Sequence, residues 1–176
     1  MEKGLIQVYT GDGKGKTTAA LGQGIRACGR GLKVYMIQFL KSSDTGELNA
    51  IKRLEPQFMV FRFEKERGFI WTLNEHEIAE LKDEIKEAFG FAKKVVSDKQ
   101  CDVLILDEIM AAIGNGLIDV ECVADLLEGK PSGMEIIMTG RNVPDRIKEL
   151  ADYVSEVVMV KHPFEKGISA RKGIEF

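Results

Sequence analysis

The chain has 176 residues, 44% of them apolar and 30% charged, with four prolines and a formal net charge of −3. That length supports one domain over 1–176 with a buried core, and the acidic balance lacks the basic surplus that a nucleic-acid binder needs. No apolar run approaches the ~20 residues of a membrane span, and the first strand follows Met1-Glu2-Lys3 without room for a secretory leader, so the expectation is a cytoplasmic protein with no membrane partner.

Leu5–Tyr9 reads as a first, apolar strand. Thr10-Gly11-Asp12-Gly13-Lys14-Gly15-Lys16-Thr17-Thr18 follows and leads into a helical pattern over 18–29. Strand, glycine-rich loop, then lysine and hydroxyl at a helix start is the phosphate-cradling P-loop arrangement. Glycines allow successive backbone N–H groups to turn onto an anion, and the helix N-terminus adds partial positive charge. Lys16 brings a mobile full charge to the phosphates, and Thr17 a hydroxyl for a bound magnesium. The strict pattern places glycine where Thr10 stands.

Further strands are expected at Val34–Phe39, Phe58–Phe63, Val103–Leu106, Glu135–Met138 and Val154–Val160, and further helices at about 46–54, 75–98, 119–127 and 144–151. In the 75–98 stretch Ile78, Leu81, Ile85, Ala88, Phe89, Ala92 and Val96 keep helical spacing on one face. Strands separated by helix-sized connections imply right-handed crossovers and a mostly parallel sheet with helices on both faces. The fold class is therefore α/β, a single domain of P-loop nucleotide-binding (RecA-like) architecture. Ligands of such sheets bind beyond the carboxyl ends of the strands.

Val103–Leu106 runs into Asp107-Glu108, an apolar strand ending in two acids, like a Walker B segment. One acid, Thr17 and substrate phosphates would complete a magnesium site; the alternative is a solvated strand end with a helix-capping acid. Arg141, in Thr139-Gly140-Arg141-Asn142, could hold phosphate oxygens or simply follow a glycine turn. His76 lies on a helical stretch, and neither it nor His162 has the neighbours that nucleophilic catalysis needs. Cys28, Cys101 and Cys122 are widely spaced and read as reduced, mostly buried thiols. Lys161, Lys166, Arg171 and Lys172 gather in the tail, a local basic group that suits a small polyanion.

Several segments together carry a family resemblance. They are Tyr9 through Thr18, Gln38-Phe39-Leu40-Lys41 followed by Gly46-Glu47, Gly68-Phe69-Ile70-Trp71-Thr72, Leu106-Asp107-Glu108 and Thr139-Gly140-Arg141. The tail adds Lys161-His162-Pro163-Phe164 through Gly167, and Lys172-Gly173-Ile174. Over essentially its whole length the sequence resembles the P-loop type of ATP:corrinoid adenosyltransferases, the cob(I)alamin adenosyltransferases, in which threonine at the position of Thr10 is typical.

The resemblance implies transfer of the 5′-deoxyadenosyl group of ATP to cobalt(I), with release of intact tripolyphosphate. ATP in this family lies reversed in the loop, its γ-phosphate where other P-loop proteins hold the α-phosphate. Carried over, Thr10, Gly11, Asp12, Gly13, Lys14, Gly15, Lys16, Thr17 and Thr18 surround the triphosphate, joined by Arg141, Lys161 and His162. Lys16 pairs with the phosphates, Thr17 and Glu108 lead Asp107 as ligands of Mg2+ or Mn2+, and Phe69 and Trp71 face the lower side of the corrin ring. As residues alone those two aromatics could equally be core packing. The resemblance further implies a flavoprotein electron donor and a homodimer. Some family members cover the site with an N-terminal extension; this sequence starts at its first strand, so the resemblance does not carry that closure over to it.

Two other readings share the loop. A P-loop kinase or hydrolase of a small metabolite would use the same acids on a γ-phosphate, but the sequence shows no acceptor site or lid. A RecA-like, nucleotide-switched module acting on nucleic acid runs against the charge balance.

Overall fold

A computed structural model describes residues 2–41, 45–68 and 70–175. Six strands form one sheet: β1 (Ile6–Thr10), β2 (Val34–Gln38), β3 (Phe58–Phe61), β4 (Val103–Asp107), β5 (Glu135–Thr139) and β6 (Tyr153–Glu156). Their order is β3-β2-β4-β5-β1-β6, and every pairing is parallel. β2, β4 and β5 are buried throughout, as expected of apolar strands covered on both faces. β5 separates the strand that leads into the glycine loop from the strand that ends in the acid pair.

Side chains of β4 alternate between two cores, with period two. Leu104 and Leu106 join Leu81, Ile85 and Phe89 of α3 (Glu75–Ser97), Ile109 and Met110 of α4 (Ile109–Gly114), Leu127 of α5 (Val120–Glu128) and Ile147 of α6 (Asp145–Leu150). Val103 and Ile105 face the other way, onto Ala20 and Ala27 of α1 (Lys16–Cys28), together with Phe58 and Ile51 at the end of α2 (Gly46–Ile51). The long α3 starts with a reciprocal cap: Asn74 accepts from the Glu77 N–H while the Glu77 carboxylate accepts from the Asn74 N–H.

Four elements depart from the sequence reading. The sixth strand ends at Glu156 rather than Val160. Val157 instead serves the glycine loop: its N–H donates to the Thr10 carbonyl at 2.8 Å, and its carbonyl accepts from the Gly13 N–H at 2.7 Å. The helix expected at 46–54 is α2 followed by a 3-10 turn, Lys52–Leu54, stopped before Pro56, because the residue ahead of a proline avoids helical backbone. Helix α4 was not foreseen; six residues directly after a strand show too little periodicity to reveal themselves. β3 also stops at Phe61, two residues short of expectation.

Candidate active site

The loop between β1 and α1 takes backbone that glycine alone adopts without strain at two points. Gly11 has φ +102° and Gly15 has φ +122°, and a Cβ on Gly15 would point into open space rather than into protein. The first turn of the 13-residue α1 carries no acidic side chain, so its N–H groups and dipole face the loop cavity uncompensated. Lys16 is buried, and its Nζ donates to the Gly13 carbonyl at 2.9 Å. Burial pushes its pKa down, and the nearby Glu108 carboxylate pulls it back up.

Asp107, at the carboxyl end of β4, is fully buried. One carboxylate oxygen accepts from the hydroxyls of Thr17 (2.9 Å) and Thr139 (2.7 Å); the other accepts from Gln38 Nε2 (3.0 Å) and Lys41 Nζ (2.9 Å). The sheet delivers these partners: Gln38 stands opposite Asp107 in the β2–β4 register, and Thr139 ends β5 next door. Arg62 Nε in turn donates to Gln38 Oε1 at 2.7 Å. Glu108 follows in left-handed backbone, φ 60°, with its N–H donating to the Thr139 hydroxyl at 2.9 Å. Its carboxyl pKa is raised, first by burial and then by Asp107.

Two hollows open side by side at this edge of the sheet. The first, about 480 Å³, is lined by Asp12 through Thr18, with Arg141, His162 and Glu175 on its rim. The second, about 540 Å³, is lined by Leu40, Ile70, Trp71, Leu73 and Leu81, with Glu64 and Arg67 adding charge. Lys41 and Glu108 belong to the walls of both. Arg67 is held by ion pairs to Glu84 and Glu80, and the hydrogen bond with Glu84 raises its pKa. Trp71 is 77% exposed on a 3-10 turn, Ile70–Thr72, so it is no core residue.

The structure thus gathers Asp12 to Thr18, Glu108, Arg141 and His162 around one cavity. Arg141 pairs with Asp12 at 3.4 Å. Thr10 is buried as the last residue of β1, and neither it nor Gly11 nor Lys161 lines that cavity. Trp71 lines the second hollow, and Phe69 lies outside the described residues. Sequence reasoning did not single out Lys41, Gln38 and Thr139 for the site. The available signal for Gln38 and Thr139 was a polar residue closing an apolar run, Val34–Ile37 and Ile136–Met138 respectively.

Among the described residues no group of three or more His, Cys, Asp or Glu side chains could hold a metal ion. A divalent cation would therefore need oxygens from a bound phosphate besides Thr17 and the acid pair, which are hard donors of the right chemistry. Among those residues, too, no helix is long and apolar enough to cross a membrane.

The model of the family described as ATP:corrinoid adenosyltransferase BtuR/CobO/CobP matches residues 2–176. A corrinoid adenosyltransferase of Escherichia coli strain K12 is 37% identical over 176 residues, 99% of this chain and 87% of that protein. One of Pseudomonas aeruginosa is 34% identical over 176 residues, 99% of this chain and 85% of that protein. The flagellar accessory protein FlaH of Methanocaldococcus jannaschii shares the fold, with a TM-score of 0.59 at 17% identity over 89% of this chain and 72% of that one. With a glycine-loop cavity, an acid pair at the end of the strand one removed from β1 and a match that runs along the whole length, this chain belongs to the ATP:corrinoid adenosyltransferase family.

Proposed function

We propose that this chain transfers the 5′-deoxyadenosyl group of ATP to the cobalt(I) of a corrinoid, with tripolyphosphate as the leaving group. The observation that carries the reading is the adjacency of the two hollows, which share Lys41 and Glu108 in their walls. A hydrolase needs one nucleotide cavity and a water; a group transfer between two large substrates needs two that meet. The electron pair of cobalt(I) forms the bond to C5′ as the C5′–O bond breaks, and the departing pair goes to the polyphosphate. Cobalt(I) is itself the nucleophile, so no protein base is required.

The protein's share is alignment and charge. Holding cobalt in line with C5′ could supply roughly 7–11 kcal/mol. The loop amides from Asp12 to Thr18 and the Lys16 ammonium take the triphosphate in the reversed sense, joined by Arg141 and His162, and meet charge as it develops. Thr17 and Glu108 would hold magnesium or manganese, which neutralises the leaving polyphosphate. Asp107, whose oxygens already accept from four donors, stands behind Glu108 as a ligand and holds the Thr17 hydroxyl in place. Trp71 forms an apolar wall under the corrin, excluding water from cobalt's lower face and easing reduction of cobalt(II), a role the family resemblance extends to Phe69.

The reading extends to a flavoprotein electron donor, a cytoplasmic setting and no nucleic-acid partner. It also extends to a homodimer, which the exposed apolar side chains of Tyr153, Val154, Val158 and Val160 support. Incubation with ATP, magnesium and chemically reduced cobalamin should yield a light-sensitive adenosylated corrinoid. Phosphorus NMR of the same mixture should show tripolyphosphate; ADP in its place would identify a kinase or hydrolase.

A further inference from the structure

Lys41 was given no role from the sequence, yet it bridges the buried Asp107 carboxylate and the Thr17 hydroxyl. It follows β2 on a turn in which Leu40 takes left-handed backbone, φ 54°. The Glu64 carboxylate pins that turn by accepting from the Leu40 N–H at 2.8 Å. From this anchored base the side chain, 24% exposed, brings Nζ to 2.9 Å from Asp107 Oδ2 and 3.1 Å from Thr17 Oγ1. These oxygens belong to the buried carboxylate and to the loop hydroxyl beside which a nucleotide-bound divalent cation would sit.

We infer that Lys41 is the resident cation of the nucleotide-free protein's site. Its ammonium neutralises Asp107 and steadies Thr17 until a divalent cation arrives with the nucleotide, and it then gives up that position. The inference rests on the metal reading proposed above. A buried carboxylate without a counter-charge is strongly destabilising, so some cation must answer Asp107 while the loop is vacant. Two cations crowded against the same oxygens repel each other unless new negative charge enters. The polyphosphate brings that charge. Bare metal must therefore compete with Lys41, whereas metal with nucleotide need not. Lys41 also lines the second hollow, which gives the displaced ammonium somewhere to go. Lys41 is accordingly a positioning residue that sets when the cation may bind.

The test uses the purified full chain with Mn2+ as the probe, followed by electron paramagnetic resonance. Without nucleotide, Lys41→Met should bind Mn2+ at least tenfold more tightly than the parent protein. Its melting temperature should fall in EDTA and recover when Mn2+ is added. Unchanged or weaker Mn2+ binding, with no thermal recovery, would overturn the inference and leave Lys41 as a fixed partner of Asp107. A structural role alone would lower the melting temperature without tightening metal binding.

A control separates this outcome from failure of the metal reading. With ATP present, the parent protein should bind Mn2+ tightly and Thr17→Val should not. No ATP-dependent Mn2+ binding in the parent protein would remove the metal reading, and the resident cation with it. Should Lys41→Met not fold, reductive methylation of the parent protein reads the same competition by mass spectrometry. Saturating Mn2+ should speed methylation of Lys41 several-fold, and an unaltered rate would count against displacement.

Discussion

Asp107 is sealed from solvent and accepts from Thr17, Thr139, Gln38 and Lys41. Glu108, one residue on, borders both hollows, and burial beside Asp107 raises its pKa. Left-handed backbone at Glu108 makes the difference, turning two consecutive side chains of a strand end to different surroundings. Trp71 shows a comparable contrast, since an indole left 77% exposed gains little from folding. Trp71→Ala should cost no more than about 1 kcal/mol of stability. It should impair adenosylation that starts from cobalt(II) far more than adenosylation from pre-reduced cobalt(I). Equal losses in the two assays would make Trp71 a general binding contact. Lys16, Thr17, Asp107 and Glu108 were legible in the sequence because the loop and the strand end are local patterns. Lys41, Gln38 and Thr139 were not, because strand register brings them to Asp107 from 66, 69 and 32 residues away.

The elements repeat that division. Strands β2, β4 and β5 and helix α3 announce themselves through continuous or periodic apolar residues. β6 reads seven residues long in the sequence but is four in the structure, because the glycine loop claims the backbone of Val157. Helix α1 lies so close to the sheet that one position tolerates no side chain. A Cβ at Gly24 would stand 2.6 Å from the ring of Phe58, which is fully buried and cannot retreat. Gly24→Ala should therefore destabilise by about 1–3 kcal/mol through overpacking, outweighing its helix-propensity gain. Gly22→Ala, on the same helix with nothing within 4 Å of the new methyl, should instead stabilise by about 0.5–1 kcal/mol. Denaturant midpoints of the two variants should move in opposite directions.

At the scale of the molecule, stability has an alkaline edge. Burial pushes the Cys101 thiol from 9.0 up to about 12. Between those values the unfolded chain releases a proton that the folded chain keeps. The folded state then binds more protons, and stability from this group falls as pH rises, by up to ~1.4 kcal/mol per pH unit. Lys16 and Lys130, whose pKa values burial lowers, act in the opposite sense at high pH. A comparison isolates the thiol: Cys101→Ala should lose stability less steeply than the parent protein between pH 9 and 11, as read by chemical denaturation.

The partition that the loop cavity and the Trp71 hollow have in common carries a thermodynamic obligation. A ligand that shifts Lys41 or Glu108 from one side changes the surface met by a ligand on the other. By whatever factor the nucleotide alters the corrinoid's dissociation constant, the corrinoid must alter the nucleotide's by the same factor. Titrating either ligand in the presence of the other would return a single coupling free energy.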